Sequence, residues 1–357
     1  MNKLLSIIIP SYNMEKYLPK CLGSLVQCDA KLLDCVDVIV VNDGSQDRTS
    51  AIGHDFEVRY PSVIRVIDKP NGHYGSCVNA GLLTAHGVYV KILDADDSFD
   101  SNLFAAYLNF LVEKVDREWN CAPDVIWNDF VFEDGNGCAI KTIRRNLAPR
   151  KLFDVEDSAV DLHGVYMHQV AYKTQNLRAM SYHQDEGICY TDNEWCHSPV
   201  LRVRKVAYCD IPVYRYLVGR DGQSVAAEVM KKNLWMMGKV ALRMASDYMQ
   251  CGVASQKIRE YLRDFSLTVI ANVYVQAVLR IHTPSQDEQL CSFEEKLQAV
   301  SPELYTLIEK RVRMRSTGYQ YIKAWRKHKN SNCLSLKIYR LFLNVVLTRW
   351  HSSGINA

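Results

Sequence analysis

The sequence predicts an α/β fold, a mostly parallel sheet between helices, followed by a helical C-terminal region. Three observations carry that prediction. Four short β-branched apolar runs in the first hundred residues alternate with segments of helical length. Each run ends in a polar turn rich in Asp, Asn and Gly. From about Glu228 onward, Met and Leu recur at helix spacing. Continuous β-branched runs suit strands covered on both faces, and strand–helix alternation builds βαβ units.

The predicted strands are Leu4–Ile9, Asp37–Val41, Val63–Ile67 and Val88–Leu93. Between them, Glu15–Val26, Asp47–Arg59 and Gly75–Ala85 have helical length. Asn102–Val115 reads as a further helix. Asp124–Glu133 and Cys138–Arg145 read as strands joined by the hairpin signal Asp134-Gly-Asn-Gly137. Tyr190–Leu201 and Val203–Val218 together read as a short helix and two strands. Asn233–Met249 and Ile258–Leu279 are the clearest helices of the second half. Gly and charged residues cluster near 220–228, which places the expected boundary between a domain of residues 1–225 and a helical region of 226–357.

Apolar residues make up 48% of the 357 and charged residues 23%, which excludes a disordered or collagen-like chain. Residues 4–10 are too short for a signal-peptide core, and no apolar run near either end reaches the roughly 20 residues of a membrane span. The twelve cysteines scatter through apolar stretches without a C-x-x-C pair, as reduced buried thiols do. A cytoplasmic protein is expected. The net charge of +3 conceals an asymmetry: residues 310–357 hold eleven Lys/Arg and no Asp/Glu. An acidic body with a basic tail suggests an anionic partner for the tail.

In sheets of this type ligands sit beyond the carboxyl ends of the strands. Asp94-Ala-Asp96-Asp97 lies at one such end. Carboxylates two residues apart there can face one site, and they repel unless a cation lies between them. A hard divalent cation, Mg²⁺ or Mn²⁺ shared with a diphosphate, answers that need. An ordinary Asp-rich turn is the competing reading. Asn42-Asp43-Gly44-Ser45 brings a carboxylate able to accept a uracil imide N–H. Asn71-Gly72-His-Tyr-Gly75 precedes a helix carrying Asn79, and glycines there let backbone approach an anion.

Taken together, residues 6–13, Val40–Ser45 with Asp47 and Thr49, Asn71-Gly72 with Asn79-Ala-Gly81, and Leu93–Asp97 resemble the family 2 glycosyltransferases in order and spacing. The resemblance covers about residues 3–220. It implies the GT-A fold, a Rossmann-like sheet flanked by helices, and an inverting, metal-dependent transfer from a nucleotide-diphosphate sugar. By position, Pro10, Tyr12 and Asp43 would hold the nucleoside, Asp94 the ribose or sugar, and Asp96 the metal with Asp94. The general base would fall in Thr191-Asp192-Asn193-Glu194, where Thr191 replaces the first acid of the family's usual pair. Counting back from Pro212 favours Asp192, with Glu194 as rival, and a helix N-cap is the competing role for Asp192. Arg220 would face the leaving diphosphate, or be a solvated turn residue.

The expected activity is transfer of a UDP-hexose or UDP-N-acetylhexosamine sugar to a glycan or lipid-linked acceptor in bacterial surface polysaccharide synthesis. A nucleotidyltransferase lacks support because Pro10-Ser-Tyr-Asn13 is not a Gly-rich basic loop, and an inactive nucleotide-sugar module would have lost its carboxylates. The segment Leu334–Trp350 places Leu, Ile and Phe at helical spacing with Lys337, Arg340 and Arg349. It is read as a peripheral membrane contact through 310–350, at the inner face of the cell membrane. A helix packed on the protein with a solvated basic face is the alternative, and nucleic acid is set aside.

Overall fold

The computed structural model describes residues 3–118, 122–219, 227–252, 254–314 and 317–352. Two compact units divide the chain, Met1–Gln223 and Ser224–Ala357.

The first unit runs β1 (Leu5–Ser11), α1 (Leu18–Leu25), α2 (Ala30–Leu33), β2 (Val36–Asn42), α3 (Thr49–Arg59), β3 (Ile64–Asp68), α4 (His73–Thr84), β4 (Tyr89–Ile92), β5 (Ser98–Phe99) and α5 (Ser101–Leu111). It continues through β6 (Val125–Glu133), β7 (Ala139–Ile143), β8 (Leu152–Asp154), β9 (Val170–Lys173), α6 (Thr174–Ala179), α7 (Asp192–His197) and β10 (Lys205–Leu217). Among the described residues these strands form one sheet in the order β3-β2-β1-β4-β9-β6-β10-β5, with β7 beside β6 and β8 beside β10. The first four strands of that order are mutually parallel; β9 then runs antiparallel to both β4 and β6. This is the GT-A architecture.

β1 and β2 are buried along their whole length, as their unbroken apolar sequences require. α4 lies so close to β1 that a Cβ on Gly81 would stand 2.6 Å from Ile8. The sequence reading divided 203–218 into two strands, whereas the structure has the single strand β10. Its pairing with β6 slips between Cys209 and Tyr214, around Pro212, which has no N–H to give a ladder. The short β5, β8 and β9 were also not anticipated. They are two to four residues long and carry too little periodicity to register.

A lysine sits at the centre of this sheet. Lys91 on β4 is fully buried, and its Nζ donates to Asn128 Oδ1 (2.8 Å) and His168 O (2.7 Å). It thus ties β4 to β6 and to the turn that starts β9. Burial pushes its pKa down to about 7.

The second unit is helical: α8 (Ala227–Lys232), α9 (Leu234–Met249), α10 (Gln256–Tyr274), α11 (Pro284–Val300), α12 (Pro302–Arg311), α13 (Tyr321–His328) and α14 (Leu334–Ser352). Among the described residues one helical stretch, Gln256–Ile281, is long and apolar enough to cross a membrane, and more than half of its most apolar window is buried inside the protein. Part of the basic C-terminal charge is used internally. Arg326 and Lys329 both pair with buried Glu294, Arg311 pairs with Asp264, and Arg340 donates to Val278 O and Ser331 O. Leu336 and Tyr339 of α14 are buried, while Leu334, Ile338, Leu341 and Phe342 are exposed.

The lysine generates a pH prediction. An unfolded lysine holds its proton up to about pH 10.4, whereas buried Lys91 releases it near 7. Between those values the unfolded state binds more protons, so this group makes stability rise with pH. Lys91→Met removes that rise and leaves buried acceptors unpaired, at about 1–3 kcal/mol. Urea unfolding should therefore show a deficit for the variant that grows from pH 7 to pH 9.5. A deficit independent of pH would contradict the buried, weakly basic lysine.

Candidate active site

The carboxyl ends of β1, β2 and β4 converge on one region. Asp43, just past β2, is buried and its Oδ1 accepts from Lys69 Nζ (2.5 Å) and Gly72 N (2.9 Å). Asn71 Nδ2 donates to Asp43 O (3.0 Å). Gly44 has φ +73°, and a Cβ there would lie 3.0 Å from Asn71 N, so only glycine lets these two turns meet. Pro10 is buried in β1, and Tyr12 just beyond it leaves 46% of its surface open, a ring available for stacking on a base.

Asn79 is committed elsewhere. Its Nδ2 donates to Gln184 O (2.9 Å) and Glu186 Oε1 (2.9 Å), and its Oδ1 accepts from Gln184 N (2.9 Å). It anchors the loop of residues 183–187. The same loop is held by Gly187 N donating to Gly72 O (2.8 Å) and by Asp185 N donating to Glu194 Oε2 (2.9 Å). Gly75 allows the approach, since a Cβ there would meet Asp185 O at 2.2 Å. Glu194, the rival candidate base, is buried and serves this loop.

Beyond β4 the acidic turn is tightly organised. Asp97 is buried; its Oδ2 accepts from Tyr214 Oη (2.7 Å) and its Oδ1 from Leu217 N (2.8 Å). Asp94 Oδ1 accepts from Tyr74 Oη (2.8 Å). Burial, then the charges of Asp94 and Asp96, push the Asp97 carboxyl well above the usual carboxylate range. His168 joins the cluster from the turn before β9. Its donor atom and those of Asp94 and Asp97 lie within 4.8 Å of one another. Burial, helped by nearby Lys91, lowers the His168 pKa to about 3, so the ring is neutral, and its Nδ1 is buried without a hydrogen-bond partner. Two carboxylates that repel each other and a neutral imidazole form a donor set that fits a divalent cation. Asp96, assigned to the metal with Asp94 in the sequence reading, is half-buried on the same turn and lies outside this trio.

Asp192 is the first residue of α7, with Thr191 at the cap position, so Asp192 is not the helix cap. Burial raises its pKa. Its charge reaches the same phenols as the acidic turn: after burial, Asp94 and Asp192 both raise the Tyr74 pKa, and Asp97, Asp94, Asp96 and Asp192 all raise that of Tyr216. Asp192 and the acidic turn thus both lie near Tyr74 and Tyr216. Non-glycine residues Asn13 (φ 54°), just past β1, His73 (φ 64°), at the start of α4, and Tyr190 (φ 71°), two residues before Asp192, are in the left-handed region, a sparsely populated conformation often found at functional sites. Arg220 lies outside the described residues.

His168, Lys69 and Tyr74 were missed by sequence reading. Tyr74 stood inside a quoted motif without a role, and a lone histidine in Tyr166-Met-His-Gln169 carries no spacing signal.

Comparison with known proteins gives a consistent picture. Residues 6–126 match the family model "Glycosyl transferase family 2". The chain is similar to the uncharacterized glycosyltransferase EpsJ of Bacillus subtilis, at 38% identity over 104 residues, 29% of each chain. It is similar to the minor teichoic acid biosynthesis protein GgaB of the same organism, at 25% identity over 232 residues, 64% of this chain and 25% of that one. The chain thus spans about a quarter to a third of such curated relatives. Among solved structures, S. aureus TarS 1–349 in complex with UDP-GlcNAc superposes with a TM-score of 0.65 at 18% identity, covering 92% of this chain and 88% of that one. The complex of the same segment with UDP gives 0.66, covering 95% and 91%.

The trio makes a testable demand. In Mn²⁺ titrations followed by electron paramagnetic resonance, Asp94→Ala and His168→Ala should each weaken binding at least about tenfold, no less than loss of an outer-shell partner does. Loss in Asp96→Ala with none in His168→Ala would put the ion on the Asp94–Asp96 pair instead.

Proposed function

Because the chain belongs to the family 2 glycosyltransferases and has their GT-A fold, we propose that it moves a sugar from a UDP-hexose or UDP-N-acetylhexosamine to a glycan or lipid-linked acceptor, with inversion, in bacterial surface polysaccharide synthesis. The UDP and UDP-GlcNAc complexes of TarS support the donor class, and the likeness to a teichoic acid biosynthesis protein supports the pathway class. The observation that carries the reading is the cluster of Asp94, Asp97 and His168 beyond β4, whose donor atoms lie within 4.8 Å of one another.

In this reading Pro10, Tyr12 and Asp43, with the Asn71-Gly72 turn, form the nucleoside end. Asp43 is held in place by Lys69 and Gly72 N. Asp94, Asp97 and His168 would hold Mn²⁺ or Mg²⁺, with Asp96 adding charge beside them. When bound, the cation neutralises the departing diphosphate. Asp192 takes the acceptor hydroxyl proton as the acceptor oxygen bonds to the anomeric carbon and the bond from that carbon to the diphosphate oxygen breaks. Asn79 and Glu194 act at one remove, by fixing the 183–187 loop.

The exposed stripe Leu334, Ile338, Leu341 and Phe342, spaced i, i+4, i+7 and i+8, supports the membrane reading of α14. Exposed Lys323, Lys327 and Lys337 supply charge for an anionic leaflet, at about 1 kcal/mol each near the surface. A protein so placed would work at the cytoplasmic leaflet on a lipid-carried acceptor.

A screen of nucleotide sugars for Mn²⁺-dependent turnover tests the activity; donor binding without turnover would mark an inactive binding module. Asp192→Asn should lower kcat by about 10²–10⁴ with donor binding unchanged. The reaction needs ionised Asp192, and burial raises its pKa, so activity should rise with pH through a limb above the ordinary aspartate range near 3.9. That limb should vanish in Asp192→Asn. A large loss in Glu194→Gln and a small one in Asp192→Asn would exchange the two roles. For the membrane, co-sedimentation should show binding to anionic vesicles that weakens with salt and is lost on Ile338→Glu/Phe342→Glu. Equal binding to neutral vesicles, or by the variant, would refute it.

A further inference from the structure

Away from the acidic turn, the first unit contains a cavity of about 840 Å³, whose lining includes Trp127, Arg144, Arg145, Leu147, Phe153 and Asp161. Its place on the sheet follows from strand alternation. Trp127 and Asn128 are neighbours on β6, so their side chains leave on opposite faces. Asn128 meets Lys91 Nζ in the sheet interior, so Trp127 faces the other way. On that face Trp127 pairs with Val170 and Val125 with Tyr172, and Tyr172 packs edge-on against Trp195 of α7 at 5.2 Å. The cavity therefore opens on the sheet face covered by α7, the helix that begins with Asp192.

Its charged lining is Arg144, Arg145 and Asp161, and the segment that supplies both arginines is basic. Between Gly137 and Phe153 stand Lys141, Arg144, Arg145, Arg150 and Lys151, with no acidic residue. Arg145 is part of the wall: it lies 4.8 Å over the Trp127 ring and donates to His163 O (2.8 Å) and to Asp161 O. Asp161 Oδ1 in turn accepts from His163 N (2.9 Å). Arg144 is different. Its side chain is 73% exposed and reaches only the margin of ion-pair range, 3.9 Å from Asp129, whose Oδ1 already accepts from Tyr208 Oη (2.7 Å). Arg150, outside the lining but three residues on from Leu147 in it, stands 3.8 Å from Asp210 and is half-exposed.

We propose that this cavity holds a negatively charged glycan acceptor, its phosphodiester or carboxylate groups meeting Arg144 and Arg150 while its growing end reaches Asp192. This rests on the transferase reading and adds the acceptor class to it. A planar guanidinium matches either anion with paired hydrogen bonds. Single exposed pairs contribute little, so a repeating polyanion gains most from such a strip.

The test uses the full chain, with fluorescence anisotropy of three labelled probes of equal length: a phosphodiester-linked glycerol oligomer, a uronate oligosaccharide and a neutral glucan. At least one anionic probe should bind, with affinity falling as salt rises, and the glucan should not. Arg144→Glu/Arg150→Glu should weaken binding at least about tenfold, the scale expected from reversing two surface charges, with UDP-sugar hydrolysis unchanged. Lys323→Glu/Lys327→Glu should leave it intact. Whichever anionic probe binds tighter assigns phosphate or carboxylate. No anionic binding, equal binding of the glucan, equal binding by the Arg144/Arg150 variant, or loss in the Lys323/Lys327 variant would each overturn the proposal. Absence of wild-type donor turnover would instead sink the transferase reading.

Discussion

Crowding of negative charge at the end of β4 is the constraint around which the rest of the first unit is arranged. Asp94, Asp96 and Asp97 occupy three of four consecutive positions, and Asp97 is buried where its own charge is disfavoured. Such a turn persists only if hydrogen-bond donors are brought to it. Tyr74 arrives from the start of α4, Tyr214 and Leu217 N from β10. The slip in β10 around Pro212 separates two registers, so the strand can pair with β6 at Cys209 and again at Tyr214 while presenting the Tyr214 hydroxyl to Asp97. The distortion that obscured this strand in sequence is thus in the segment that supports the acidic turn.

A second constraint is the approach of the 183–187 loop to α4. It depends on the absence of a side chain at Gly75 and on hydrogen bonds from Asn79 and Glu194. These residues are conspicuous in sequence because they are polar, but their polar atoms are spent on backbone. Asp192, two positions from Glu194, has its carboxyl pKa raised by burial and lies near Tyr74. Adjacent acids on one short helix therefore have unlike tasks, set by what each one touches.

The α/β order, the four parallel strands and the polar strand ends were legible because each depends on local pattern: β-branched runs, helix-length spacers and Gly-Asp turns. His168 was not legible. Its place beside Asp94 and Asp97 arises from β9 running antiparallel between β4 and β6, and a four-residue strand gives no such warning. Lys91 could be seen as an odd charge inside an apolar run, but its acceptors, Asn128 Oδ1 and His168 O, lie far along the chain. The internal pairing of part of the basic C-terminal charge was hidden for a related reason. Arg326 and Lys329 are satisfied by Glu294, which precedes the basic stretch and so escapes a count made within it.

The reach of β10 back to Asp97 has a consequence for how the protein is made. The segment that matches the family, residues 6–126, contains every strand-end motif, yet the hydroxyl and amide that steady Asp97 come from residues 214 and 217, and the imidazole from 168. A nascent chain leaving the ribosome would carry Asp97 without these two donors for about 120 residues of further synthesis. Contacts of such long sequence separation form late in folding. Order in the acidic turn should thus appear abruptly, with the emergence of β10, rather than grow with the Rossmann-like core.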